Sequence, residues 1–153
     1  MNLLALDPGT TETGWAMFVD GKFESAGKDV NEKVLWSLQW PPPDRVVCEM
    51  IAAYGMPVGQ EVFETCVWIG RFMQAYPEPT RFRRVTRKAV VTHICGSAKA
   101  KDANVRQALI DILGKPGTKK KPGPTFGVVG DMWAAIAVGM YGIAKTARVQ
   151  AKR

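Results

Sequence analysis

Leu3-Leu4-Ala5-Leu6-Asp7-Pro8-Gly9-Thr10 is the stretch that decides how this chain is read. Leu3 to Leu6 is a short apolar run, the pattern of a buried strand. It stops at Asp7-Pro8-Gly9, a turn signature. An acid therefore stands at the end of a core strand. In α/β sheets the carboxyl ends of strands are where sites collect.

Gly14 to Val19 reads as a second strand, and Asp20-Gly21 signals a hairpin returning through Lys22 to Ala26. Residues 31–40 carry Val34, Leu35 and Leu38 at helix spacing, and Pro41-Pro42-Pro43 stops them. Val46-Val47-Cys48 is another compact strand, ending in Glu49. The segment 50–60 holds two glycines and a proline and is expected to be a loop. Glu61 to Tyr76 has a helical apolar pattern. Phe82 to Val85 suits a strand, Thr86 to Cys95 a short helix ending at Gly96, and Asp102 or Ala103 to Leu113 an amphipathic helix. Residues 114–125 form a Gly, Pro and Lys loop. A long apolar helix is expected from about Gly130 to Ala144. A meander followed by alternating helices and strands implies a mixed sheet covered by helices.

The 153 residues suit one domain, expected over residues 1–147, with a basic C-terminal tail at 148–153. Apolar residues make up 46% and charged ones 23%, a globular balance. The apolar runs are too short for a membrane span, and Asp7 interrupts any signal-peptide pattern, so a cytoplasmic protein is expected (the host cytoplasm, if a phage encodes it). Cys48, Cys66 and Cys95 form no C-x-x-C pair and read as buried reduced thiols. The net charge is +7 and the pI about 9.5, which favours a polyanion partner. The charge is clustered: Arg81, Arg83, Arg84, Arg87 and Lys88; then Lys115, Lys119, Lys120 and Lys121; then Lys145, Arg148, Lys152 and Arg153.

Asp7 and Glu49 each end a strand. If those strands are neighbours, both carboxylates meet at one edge. Asp131 opens an apolar helix, where the dipole favours an ionised acid. Three converging carboxylates repel one another without a cation, and an oxygen-only set suits magnesium or manganese. Such ions activate water for phosphodiester cleavage with no covalent nucleophile. There are plainer readings: Asp7 shapes a turn and Asp131 caps a helix. Glu49, directly after Val-Val-Cys, is costlier to explain that way.

At this point the chain resembles the RuvC family of Holliday junction resolvases. Leu4-Ala5-Leu6-Asp7-Pro8-Gly9-Thr10 with Thr13-Gly14-Trp15-Ala16 is similar to its opening strand, and Val46-Val47-Cys48-Glu49 to its strand ending in a catalytic glutamate. Glu61 to Phe72 resembles the helix after a flexible loop. Gly96 to Asp102 resembles the glycine- and lysine-containing lead into a helix. Asp131 with Ala135-Ile136-Ala137-Val138 resembles the closing helix. The resemblance implies a ribonuclease H-like mixed five-stranded sheet with flanking helices, a homodimer, and magnesium-dependent incision of four-way DNA junctions. It assigns metal-binding and catalytic roles to Asp7, Glu49 and Asp131. The compact length looks like the phage-type members. One departure stands out: the family's second acid on the last helix aligns with Ala134, which cannot bind metal. Asp102 is a possible stand-in, with helix capping as its plainer role. The family's lysine near that point aligns with Lys99 or Lys101.

Expected DNA contacts are Lys99, Lys101, Arg84, Arg87, Lys88, Lys119, Lys120, Lys121 and Tyr54. The basic residues from Arg81 to Lys88 also suit an ordinary solvated face, and Lys119 to Lys121 a solubilising, unstructured segment. Tyr54 and Met56 can wedge into a junction or pack on the following helix. His93 reads as a hydrogen-bonded structural histidine; Trp15, Trp68 and Trp133 read as packing; Phe63, Val67 and Phe72 as core or dimer interface. Two rival readings remain. One is a junction binder that no longer cuts, given Ala134. The other is an actin-like ATPase-type phosphate loop at Leu6 to Thr11, for which the chain is short and lacks a second loop.

Overall fold

Asn2–Pro8 forms strand β1, one residue longer at its start and two at its end than the Leu3 to Leu6 apolar run, because its antiparallel neighbour pairs with it along its whole length. A computed structural model describes residues 1–151. In chain order β1 is followed by β2 (Glu12–Val19), β3 (Lys22–Val30), α1 (Asn31–Ser37), β4 (Arg45–Met50), α2 (Gln60–Ala75), a 3-10 turn at Pro79–Arg81, β5 (Phe82–Thr86), α3 (Arg87–Cys95), α4 (Asp102–Leu113) and α5 (Asp131–Gln150). The expected elements are all present. Residues 148–150, expected to belong to a tail, continue α5, while Lys152 and Arg153 lie outside the described residues.

The five strands run in the order β3-β2-β1-β4-β5. The β1–β2 and β2–β3 pairs are antiparallel; β1–β4 and β4–β5 are parallel. Leu6 pairs with Cys48, so Asp7 and Glu49 are the next residues along both strands. Side chains alternate across a sheet. Leu3, Ala5 and Val47 belong to the core beneath α3, α4 and α5, whereas Leu4, Leu6, Val46 and Cys48 face α1 and α2 with Leu38, Ile69, Phe72 and Tyr76. By that period, Asp7 and Glu49 fall on the α3–α4–α5 side.

Helix α5 lies close on this face. A Cβ at Gly139 would stand 2.1 Å from the Phe18 ring, so only a residue without one permits the approach. The start of α5 comes equally close to β2, where a Cβ on Gly14 would stand 2.7 Å from the Asp131 carbonyl oxygen. The turn after Asp7 is braced from inside. Buried Thr13 donates its hydroxyl to Asn31 Oδ1 at 2.6 Å, and Asn31 Nδ2 donates to the Gly9 carbonyl at 3.0 Å. Polar groups taken out of water in this way must be paired, and these are.

Three local readings are corrected. Of the cysteines only Cys48 is buried; Cys66 and Cys95 are half-buried, and all three are free thiols. His93 sits exposed with its ring edge-on to Tyr141 at 5.5 Å, an aromatic contact in place of the expected hydrogen bond. The Lys-rich loop is built rather than loose. Thr118 and Lys121 exchange backbone hydrogen bonds at 3.0 and 3.1 Å, and buried Thr125 donates to the Gly114 carbonyl at 2.8 Å. Lys119 and Lys120 stand at the tip of this turn. No helix among the described residues is long and apolar enough to cross a membrane.

Candidate metal and nucleic-acid site

The three parallel strands β1, β4 and β5 end at one edge of the sheet. Asp7 lies near the end of β1, Glu49 near the end of β4, and Arg87 follows Thr86, the last residue of β5. Thr86 caps α3 through its hydroxyl, which accepts the Ala89 N–H at 3.3 Å. Asp131 reaches the same region from the first turn of α5. Its N-cap is Gly130, so Asp131 is not the capping residue.

A cleft of about 790 Å³ opens here. Asp7, Arg87, Asp102, Asp131 and Ala134 all line it. A second cavity, of about 500 Å³, lies under Trp36 and Trp40 on the α1–α2 side. Its acid, Asp29, is held by Lys33 at 2.7 Å and by the Trp15 indole N–H at 2.8 Å. That cavity carries no set of converging acids.

Burial drives the Asp7 carboxyl up to about 7, and the charges of Glu49 and Asp131 add to the effect. Arg87 and Lys28 oppose it. Glu49 is also raised, first by burial; Arg87 pulls it down and Asp102 pushes it up. Like charges crowd one another here, the pattern expected of groups that share a function.

Two cations are engaged with these acids. Lys28 Nζ lies 2.7 Å from Asp131 Oδ2 and 3.7 Å from Glu12. The Arg87 guanidinium pairs with the Asp102 carboxylate. Asp102 thus serves Arg87 rather than a helix cap: the cap of α4 is Lys101, whose backbone N–H donates to Asn104 Oδ1 at 2.9 Å. Among the described residues, no three histidine, cysteine or carboxylate groups stand close enough to enclose an ion as placed. The oxygen-only chemistry of Asp7, Glu49 and Asp131 nevertheless suits a hard divalent cation, with Asp131 turned to Lys28 in the state seen.

Lys28 and Arg106 are site residues that sequence reasoning missed. The Arg106 guanidinium lies 5.5 Å from the centre of the Trp133 ring, and both line the cleft. Lys99, Lys101, Arg84, Lys88, Lys119, Lys120, Lys121 and Tyr54 are all exposed but do not line the cleft itself. Tyr54 and Met56 are 64% and 71% exposed, so neither packs on α2, and Lys88 Nζ lies 6.0 Å from the Tyr54 ring centre. Trp133 is core, Trp15 is anchored to Asp29, and Trp68 stacks near Phe72 under the Arg71 guanidinium.

Sheet order, flanking helices and the acid-bearing strand ends together define a ribonuclease H-like α/β fold. Within that class the chain is similar to Thermus thermophilus RuvC, with 19% identity, a TM-score of 0.70, and 98% of this chain and 97% of that one covered. The T. thermophilus RuvC in complex with Holliday junction substrate gives the same score and identity over 96% of its length. The fowlpox virus Holliday junction resolvase is more distant, at 14% identity and a TM-score of 0.56, covering 95% of this chain and 99% of that one. No protein-family model matches the chain, and no curated protein matches it in sequence.

Proposed function

We propose that this protein is a magnesium-dependent, structure-selective endonuclease that resolves Holliday junctions or other branched DNA. The observation that carries the reading is the placement of Asp7 and Glu49 at the ends of adjacent parallel strands, with Asp131 at the start of α5 lining the same cleft as Asp7. The full-length likeness of fold to RuvC, solved with a Holliday junction substrate, supports the choice of DNA. The net charge of +7 supports it too.

Asp7, Glu49 and Asp131 would hold the metal. When bound, magnesium supplies charge neutralisation and a water acidic enough to attack phosphorus. The chain's residues do the rest. Asp7 must lose its proton to serve as a ligand, so its raised value means that metal binding should weaken as pH falls below about 7. Lys119, Lys120 and Lys121, on their braced turn, contact duplex phosphates without reading sequence. Lys99, Lys101, Arg84 and Lys88 extend that surface, and Tyr54 is free to stack on an unpaired base.

Lys28 competes with the metal for Asp131. Replacing Lys28 with Gln should tighten manganese binding about two- to fivefold, the scale of an exposed ion pair. Calorimetric titration measures this, and unchanged or weaker binding contradicts the competition.

The homodimer is part of the proposal. Phe63 and Val67, one helical turn apart on α2, are 56% and 58% exposed on the sheet face away from the cleft. Joining two α2 helices covers them and leaves both clefts open. Val67→Glu should weaken the dimer about thirtyfold or more, since a charge is then buried without a partner. Sedimentation at micromolar concentration reads the change; a variant that associates like the wild type removes α2 from the interface.

The nuclease reading is tested with labelled four-way junction, linear duplex and RNA–DNA hybrid, each in magnesium and in chelator. Paired nicks in the junction alone, dependent on magnesium, are the expected result. Equal cutting of duplex or hybrid overturns the substrate. Ala134 in the cleft favours one other reading, a binder without cleavage. Tight junction binding with no cutting in magnesium or manganese would establish that alternative.

A further inference from the structure

A small hollow of about 30 Å³ opens at the sheet edge opposite the acidic cleft, where β4 and β5 begin. Arg45, Arg81 and Arg83 line it, together with Thr80 and Thr146. The fold gathers them from separate elements. Arg45 opens β4, Thr80 and Arg81 lie in the 3-10 turn before β5, Arg83 is in β5, and Thr146 is on α5. Side-chain alternation puts Arg45 and Arg83 on the face of Val47 and Val85, the face that α5 covers. Helix α5 comes close there because Gly142 lacks a Cβ, which would stand 2.6 Å from Val47 Cγ2. Thr146 is about one turn further along. No carboxylate lines the hollow. The neighbouring Asp44 accepts the Asn2 N–H at 2.6 Å, and among the described residues no ion pair engages Arg45, Arg81 or Arg83. Three cations gathered without an anion repel one another, as the three acids do without a metal. A volume close to that of one water molecule admits the oxygens of a phosphate laid against it, but no base or sugar ring. Guanidinium forks match phosphate oxygens two at a time.

Resting on the branched-DNA reading above, we propose that this hollow is a second phosphate site, which holds the backbone of a duplex arm running from the cleft along the edge strand β5. Strand β5 is the last in the sheet order, with β4 on its inner side and no strand beyond it among the described residues. Its cations lead from the hollow toward the cleft: Arg81 and Arg83 at its start, Arg84 next, and Arg87 just past its end. Charge on an edge strand also blocks pairing with other sheets, but that role needs cations pointing outward, not three lining one hollow. Arg45 lies four residues before Glu49 along β4, a distance of about 13 Å at about 3.3 Å per residue. Phosphates of a duplex follow one another at about 3.4 Å along the axis, so the hollow stands about four phosphates from the acids. A contact to the backbone adds affinity and orientation without reading sequence.

Fluorescence anisotropy with a labelled four-way junction, in the absence of metal, tests the proposal. The variants are Arg81→Gln/Arg83→Gln and a control of equal charge change, Lys22→Gln/Lys33→Gln, each checked for an unchanged melting temperature. Junction affinity should fall about tenfold in the arginine variant and less than about twofold in the control. The slope of log affinity against log salt should shrink by about 1 in the arginine variant, the value for one neutralised phosphate. Junctions that each carry one neutral methylphosphonate, at successive positions along an arm, locate the contact. In the wild type a position about four phosphates from the cleaved one should weaken binding severalfold. In Arg81→Gln/Arg83→Gln the same junction should bind no worse than the unmodified one. Single-turnover cutting of saturating junction in magnesium should stay within about twofold of wild type, because only uniform binding is lost. The proposal is overturned if the arginine variant binds like the wild type, if it loses no more than the control, or if every methylphosphonate acts alike in both proteins. Inorganic phosphate that shifts the Arg81 and Arg83 guanidinium NMR signals, with junction affinity unchanged in the variant, would assign the hollow to a free anion and overturn the DNA arm. A wild type that binds the junction but cuts nothing overturns the nuclease reading alone, and the affinities still decide the hollow.

Discussion

Asp7→Asn should slow the proposed junction cutting about a thousandfold and make the protein more stable at pH 8. The first effect follows from the metal-binding role proposed for Asp7: several kcal/mol of transition-state stabilisation correspond to about a thousandfold in rate. The second follows from burial. The Asp7 carboxyl ordinarily titrates at 3.8 and is held at about 7 in the fold. Between those values the folded chain keeps a proton that the unfolded chain has shed, so stability falls as pH rises through that window. Above pH 7 the full cost stands, up to about 4 kcal/mol. Asparagine has no charge to bury, so its melting temperature at pH 8 should rise by several degrees, up to about 10 °C. The decline from pH 4 to 7 should also be shallower, with a remainder from Glu49, which is raised as well. Thermal melts across pH, run without metal, check this. A variant whose pH profile matches the wild type, or one that still cuts, contradicts the role given to Asp7.

Gly14→Ala damages cutting by a different route. The added Cβ would lie 2.7 Å from the Asp131 carbonyl oxygen and 3.0 Å from its carbonyl carbon and Cβ. These are mostly backbone atoms at the start of α5, so relief requires the helix to move. An overpacked contact of this kind costs about 1–3 kcal/mol of stability. A shift of about 1 Å in one ligand of a preorganised site lowers the rate about a hundredfold. Junction affinity, which the proposal assigns to the exposed lysines, should stay near wild type. Rate, affinity and melting temperature measured together separate the effects. Full activity in Gly14→Ala would mean that the placement of Asp131 against β2 does not matter.

Much of the placement of these acids is legible in the sequence. The apolar runs before Asp7 and Glu49 are short and end sharply, so both acids were placed at strand ends, and the parallel β1–β4 register brings them side by side. Asp131 was legible because the last helix is apolar and opens on an acid. Lys28 was not legible, and the reason is specific. Counting back from the Asp20-Gly21 hairpin pairs Gly14 with Gly27, but an irregularity between Met17 and Phe18 advances the register, so Gly14 faces Lys28 instead. A one-residue slip moves a side chain to the other face of the sheet. The Arg87–Asp102 pair was hidden for another reason. The two residues lie 15 apart at the starts of separate helices, and no local pattern joins them. The order of the Lys-rich loop was hidden too, because it depends on long-range hydrogen bonds such as that from Thr125 to Gly114.

The claim on which the rest depends is that Asp7, Glu49 and Asp131 hold one divalent-metal centre. An anomalous difference map from a crystal of the wild-type protein soaked in manganese addresses it directly. The predicted result is density between these three carboxylates, with Asp131 turned away from Lys28. Manganese bound elsewhere, in a protein that still cuts junctions, would contradict it.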